Sequence, residues 1–279
     1  MKKSVEIFER NWSPIGVFDS GVGGVSVLKA LQSALPNESF IYAADSGNAP
    51  YGDKSKAFIE ARTSAMASFL AGANAKAIVV ACNTATVVAV KTLRAHYPIP
   101  VIAMEPAIKP ATQISRSGVV GVLATARTLE SPALANLCRL YGTSVKILLQ
   151  PCPGLVEQVE RGDLETEATH QLLRRYISPL LAGGADTLVL GCTHYVFLLA
   201  HIRRIVGPDI TIVESSAAVA RQLERRLAEI RKLSEGTRRS ETKFFTTGPV
   251  NQSRAVISEL WGESVHVQAI DISDIHIKI

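Results

Sequence analysis

An apolar run is lacking at the start of the sequence. Residues 1–13 are polar and charged and lack the apolar core of a secretion signal, so none is expected. No apolar run approaches the roughly 20 residues that a membrane-spanning helix needs, and no membrane association is expected. Cysteine is scarce: Cys82, Cys138, Cys152 and Cys192 are the only four in 279 residues, and none forms a C-x-x-C pair. That spacing excludes a zinc knuckle or a thioredoxin-type site and gives no reason to expect a metal. A chain of this size needs no disulfide framework, so a reducing cytoplasm is expected, where free thiols stay reactive. Aromatics make up only 6%, so the core must be aliphatic. Charge of one sign is also sparse, at a net +5. Much of the excess falls in Arg221, Arg225, Arg226, Arg231, Lys232, Arg238 and Arg239. Val219, Leu223, Leu227 and Ile230 run through that stretch at helical spacing, which predicts an amphipathic helix with a solvated basic face rather than a nucleic-acid surface.

What is present is 47% apolar and 20% charged residues, the profile of a protein with a sizeable core. Short apolar runs alternate with longer amphipathic ones. Strands are predicted over 15–18, 40–44, 77–81, 101–103, 119–123, 145–149, 187–190, 210–213 and 243–246. Helices are predicted over 23–35, 58–70, 85–97, 129–141, 155–162, 168–181, 196–206 and 252–260. This alternation implies an α/β fold with parallel sheets flanked by helices.

The rhythm also repeats. Gly16-Val17-Phe18-Asp19-Ser20 has a counterpart in Gly121-Val122-Leu123-Ala124-Thr125, and the run 75–82 has one in 185–192, at nearly the same offset. The expectation is two similar α/β domains with a site between them. The first comprises 14–105 plus 214–279 and the second 106–213, with 1–13 as an extension.

Cys82 and Cys192 occupy equivalent places in the two halves, each just past a buried strand and before a helix. Ligands in open α/β sheets bind at that edge. The strand-to-helix turn aims N–H groups and a positive helix end at the crevice, which favours thiolate and binds carboxylates. One strand-end cysteine is readily a small buried hydrophobe, but two in equivalent places suggest paired chemistry. Inversion of a stereocentre needs such a pair: one group takes the α-proton from one face and the other supplies a proton to the opposite face. Donors must then stabilise the carbanion-like transition state, and Asn83, Thr84, Thr125 and Thr193 are the candidates. Cys138, inside an amphipathic helix, and Cys152, in Pro151-Cys152-Pro153, read as structural.

Asp19 ends the first strand and His194 lies two residues past Cys192, so both are expected to set the protonation of the thiols. The loop Asp45-Ser46-Gly47-Asn48-Ala49-Pro50-Tyr51-Gly52 offers a turn and, at Tyr51, a hydroxyl and a wall for a ligand. Two rivals are weaker. A Cys192–His194 thiol hydrolase would leave Cys82 unused. A dinucleotide site would need Gly or Ala at position 26 of the Gly21-Val22-Gly23-Gly24 turn, where Ser26 stands.

Asp19-Ser20-Gly21-Val22-Gly23-Gly24, Pro50-Tyr51-Gly52, Ala81-Cys82-Asn83-Thr84-Ala85, Gly191-Cys192-Thr193-His194-Tyr195 and Phe245-Thr246-Thr247-Gly248 together resemble the glutamate racemases of the aspartate/glutamate racemase superfamily. The resemblance spans 15–262. It implies two facing α/β domains and racemization with no pyridoxal phosphate or metal, supplying D-glutamate for peptidoglycan. It implies that Cys82 works on the D-enantiomer and Cys192 on the L-enantiomer, with Asp19 and His194 beside them. It implies that Asp19, Ser20, Tyr51, Gly52, Asn83, Thr84, Thr125, Thr193 and His194 contact the amino acid. His194, where sister aspartate racemases carry Glu, favours glutamate. A homodimer and a muramyl-peptide precursor activator near the domain hinge are further properties of such relatives. The run 152–157 follows the family only loosely.

Overall fold

The computed structural model describes residues 13–234 and 240–270. Most of the N-terminal extension, and Arg238 and Arg239 of the basic cluster, lie outside the described residues.

Two all-parallel sheets form the frame. The first is built from β1 (Ile15–Asp19), β2 (Phe40–Ala44), β3 (Ala77–Val80) and β4 (Val101–Ala103), linked by α1 (Val25–Ala34), α2 (Lys56–Gly72) and α3 (Asn83–His96). After α4 (Ile108–Ile114), the second sheet follows: β5 (Val119–Ala124), α5 (Ala126–Leu129), α6 (Pro132–Tyr141), β6 (Lys146–Pro151), α7 (Leu155–Arg161), α8 (Glu167–Ala182), β7 (Thr187–Leu190), α9 (Leu199–Val206) and β8 (Thr211–Val213). The chain then returns through α10 (Ser216–Glu229), β9 (Thr242–Thr246), α11 (Val250–Trp261) and β10 (Val267–Ala269). The strand orders are β10-β9-β2-β1-β3-β4 and β6-β5-β7-β8. The order β2-β1-β3-β4 recurs as β6-β5-β7-β8, so β1 matches β5 and β3 matches β7, the pairs whose sequences repeat. The α/β class read from the alternation is the observed one.

Strands β1, β2, β3 and β7 are buried along their whole length. Helices cover both faces, which explains apolar runs without period-2 alternation. One apolar cluster joins the halves, from Val22 and Val25 to Leu155, Val159 and Tyr195. Each such side chain contributes about 1.5–3 kcal/mol by leaving water. Where the chain first crosses between sheets it is pinned to the return crossing, because the Ser215 hydroxyl donates to the Glu105 carbonyl at 2.6 Å.

Local departures have local causes. The helix expected over 129–141 is two helices: Ser131 caps a fresh start at Leu134 N–H, with Pro132 in the first turn where no donor is needed. The helix expected from 196 starts as a tighter 3-10 segment, Thr193–Leu198, before α9. Helix α4 was not expected, because Pro110 reads as a breaker yet sits in its first turn. Strand β10 is three residues long, too short for a periodic signal. The basic stretch forms α10, with Val219, Leu223 and Leu227 buried and Ile230, just past its end, exposed. Among the described residues no helix is long and apolar enough to cross a membrane.

Candidate active site

Four strands deliver the chemistry to one place. β1 ends in Asp19, β3 leads through Ala81 to Cys82, β5 leads to Thr125 and β7 leads through Gly191 to Cys192. These are C-terminal strand ends of both sheets, and they meet at a narrow, nearly closed cavity of about 10 Å³. Ser20, Tyr51, Gly52, Cys82, Asn83, Thr84, Thr125, Cys192, Thr193 and His194 line it, with Pro50 and Val156. Asp19 stands behind this wall, fully buried. Each of the predicted catalytic and substrate-contacting residues is therefore at the cavity or one hydrogen bond from it.

Both thiols are nearly enclosed, with Cys82 5% and Cys192 7% exposed, and both are free. The Cys82 sulfur caps α3, accepting from Ala85 N–H at 3.4 Å, and lies 3.5 Å from the Ser20 hydroxyl. The helix end was expected to favour thiolate here. Instead burial pushes the Cys82 thiol up to about 12, with the Asp19 charge acting the same way and the Ser20 and Ala85 contacts opposing it too weakly. Cys82 therefore keeps its proton at neutral pH. Cys138 lies apart on α6. Cys152 is buried, its sulfur 3.3 Å from the Gln150 carbonyl.

Around Cys192 the charges differ. His194 Nδ1 lies 3.7 Å from the sulfur, and its Nε2 meets the Glu160 carboxylate at 2.6 Å. Burial opposes charge on this imidazole, but its hydrogen bonds to Cys192 and Glu160 prevail and hold it well above the ordinary histidine value. Asp19 connects the two halves of the site. It accepts from Gly21 N–H at 2.7 Å through one oxygen and from the Thr193 hydroxyl at 2.9 Å through the other. Burial pushes its carboxyl up to about 6, against the pull of His194 and the Gly21 N–H. Asp19 does not cap α1, whose N-cap is Gly24.

The polar wall is selective. Both ends of the Asn83 amide are buried without a protein partner, although the residue lines the cavity. Such a group calls for a ligand with both donor and acceptor. Thr84, Thr125 and Thr128 share a hydroxyl triangle with edges of 2.9, 3.0 and 3.3 Å. Tyr51 lines the cavity, but its hydroxyl is turned to Asp45 at 2.5 Å and is not offered to a ligand, contrary to expectation.

Two residues escaped the sequence reading. Glu160, on α7, receives Val22 N–H at 2.7 Å from the opposite sheet's glycine turn as well as His194. Its signal lay in the glycines: a Cβ on Gly21 would fall 1.8 Å from Glu160, and one on Gly23 would fall 2.3 Å from His194. Thr128 sits one helical turn past Thr125 and looked like a helix residue. Among the described residues no group of three His, Cys, Asp or Glu is arranged to hold a metal ion.

A family model described as Asp/Glu/Hydantoin racemase matches residues 15–223. The chain is 51% identical over 261 residues to the glutamate racemase of Pseudomonas entomophila (strain L48), a match covering 93% of this chain and 98% of that one. It is 50% identical over 251 residues to that of Methylococcus capsulatus, covering 90% and 93%. Among solved structures, a glutamate racemase isoform from Bacillus anthracis superposes with a TM-score of 0.85 at 33% identity, over 93% of this chain and 97% of the other. The Escherichia coli glutamate racemase, solved with L-glutamate and the activator UDP-MurNAc-Ala, gives 0.82 at 30% identity, over 92% and 98%. A likeness this close over nearly the whole length means that the chain is an isomerase of the Asp/Glu/hydantoin racemase family and groups, within it, with the glutamate racemases.

Proposed function

We propose that this enzyme interconverts L- and D-glutamate without a bound cofactor, passing one proton in and another out through Cys82 and Cys192. The convergence of these two thiols, from equivalent strand ends of two sheets, on one small polar cavity carries the reading. In the L-to-D direction the Cys192 thiolate takes the α-proton. The His194 imidazolium beside it offsets the charge on that sulfur. Cys82, which burial keeps protonated, gives its proton to the opposite face. The reverse reaction exchanges the roles. The α-proton is a far weaker acid than a thiol, so the carbanion-like transition state needs fixed donors, and Asn83, Thr84 and the backbone N–H groups of the turn at Thr193 supply them. Ser20, Tyr51, Gly52 and Thr125 complete the pocket for the amino acid. Asp19 and His194 act as the charge-setting neighbours of the two thiols.

This reading divides the chain into 14–105 plus 214–279 and 106–213, with the reaction between them. It places the reaction in the cytoplasm, as a source of D-glutamate for peptidoglycan. The test is exchange with single thiols in heavy water. Cys192→Ala should exchange the α-proton of D-glutamate with retention, and Cys82→Ala that of L-glutamate, while neither racemizes. Racemization by either variant would refute the two-thiol route.

The Escherichia coli relative was solved with UDP-MurNAc-Ala as its activator. On this chain a cleft of about 1110 Å³ opens beside the two crossings between the sheets, lined by Arg94, Lys109, Arg221 and Arg226 among others. Its cations suit a diphosphate, and we propose it as the site for an activator of that class.

A further inference from the structure

The late Phe245-Thr246-Thr247-Gly248 segment belongs to no part of the mechanism above, and it lies about 200 residues along the chain from the loop it touches. Its Thr247 hydroxyl donates to Asp45 Oδ1 at 2.6 Å. Asp45 is fully buried, and a bare carboxylate there would be very costly. It is instead surrounded by donors. Arg62 forks onto both oxygens, Nε to Oδ2 at 2.9 Å and the terminal nitrogen to Oδ1 at 2.6 Å. Asn48 Nδ2 adds a bond to Oδ1 at 3.1 Å, and the Tyr51 hydroxyl closes on Oδ2 at 2.5 Å. A carboxylate has about four lone-pair sites, so this one is saturated and its orientation is fixed.

The consequence lies at the far end of the loop. Tyr51 and Gly52 form a wall of the active cavity. Gly52 is pressed against the second sheet's Thr125, where a Cβ would fall 2.9 Å from that residue's own Cβ. Thr247 also accepts Gly47 N–H at 3.2 Å, so it holds the loop's start by two bonds. We propose that Arg62 and Thr247, acting through Asp45, are positioning residues that set where the Tyr51–Gly52 wall stands against the substrate. The C-terminal return of the chain thereby shapes a site to which it contributes no lining residue of its own. This rests on the reading that the cavity binds glutamate.

Thr247→Val removes the donor and keeps the shape, and Thr247→Ser keeps the donor. The first should raise KM for both enantiomers roughly tenfold, the loss expected for one bond to a charged group, with kcat held within about threefold. The second should stay within about twofold of the parent. Alkylation of Cys82 by iodoacetamide, followed by mass spectrometry, reads the wall without any turnover: it should quicken in Thr247→Val and not in Thr247→Ser. Arg62→Lys, which loses the fork but keeps the charge, should move KM and alkylation in the same direction. Unchanged KM and alkylation in folded Thr247→Val, a loss confined to kcat, or failure of all three variants to fold would overturn the proposal. A parent enzyme inert towards glutamate would instead remove the functional reading, and the alkylation rates would still decide the role of Thr247.

Discussion

At the residue scale the candidate site is marked by displaced proton affinities. Asp19 is buried at the junction of the two thiols' surroundings, and its carboxyl is raised from 3.8 to about 6. Its folded value lies above its unfolded one, so the proton stabilises the fold. That contribution is complete below about pH 4 and is lost as pH rises through about 6. Asp19→Asn should therefore be the more stable form at pH 8, by up to about 3 kcal/mol, and the advantage should vanish near pH 4 in denaturant titrations. Activity should respond in the opposite sense. The acid limb of kcat/KM should fall through about pH 6 as Asp19 gains its proton, and Asp19→Asn should abolish that limb along with most activity. An unmoved limb would assign it to another group. The thiols differ, since Cys82 is held up by burial and Cys192 faces a charged imidazole. Yet the enantiomers have equal free energy in water, so kcat/KM must share one pH profile in both directions. The asymmetry can appear only in kcat and KM separately.

At the scale of elements, the turns after β1, β3, β5 and β7 carry the residues proposed to act, and the strands position them. The turn after β1 is glycine-rich because the opposite half leaves no room. A Cβ on Gly23 would meet His194 and the Thr193 hydroxyl at 2.3 and 2.6 Å. Gly23→Ala must push the imidazole away from Cys192, and a displacement near 1 Å costs roughly 100-fold in rate. Gly72→Ala, where a Cβ meets nothing within 4 Å, is the control that should leave rates unchanged. Much of this site was legible in the sequence because each strand-end motif is local: Asp19-Ser20, Cys82-Asn83-Thr84 and Cys192-Thr193-His194 need only a strand and a turn. Glu160 was not legible, because beside Glu157 and Arg161 it reads as one more charge on a helix. Its role exists only through contacts 34 and 138 residues away along the chain. The direction of the Tyr51 hydroxyl was misread for the same reason, since Asp45 is held by Arg62 and Thr247 from elsewhere in the chain. The proton affinity of Cys82 was misread because a helix end is visible in sequence and complete burial is not.

At the scale of the whole molecule, two sheets of matching order present their C-terminal edges to each other, and a single apolar cluster and paired crossings join them. On the proposed reading, a ligand bound beside those crossings acts by resetting the spacing of the thiols. UDP-MurNAc-Ala should thus raise turnover, and Arg221→Glu, in the basic cleft and away from the thiols, should remove that response while leaving the basal rate unchanged. A response that survives the charge reversal would place the activator elsewhere. On the proposed route two sulfurs serve opposite faces of one carbon. The most direct measurement of this is proton NMR of purified enzyme with L-glutamate in heavy water, with thiols reduced and no cofactor added. D-glutamate that forms with deuterium at the α-carbon, while early unreacted L-glutamate keeps most of its α-proton, is the predicted result. D-glutamate that retains the original α-proton, or no loss of that proton from either enantiomer, would contradict it.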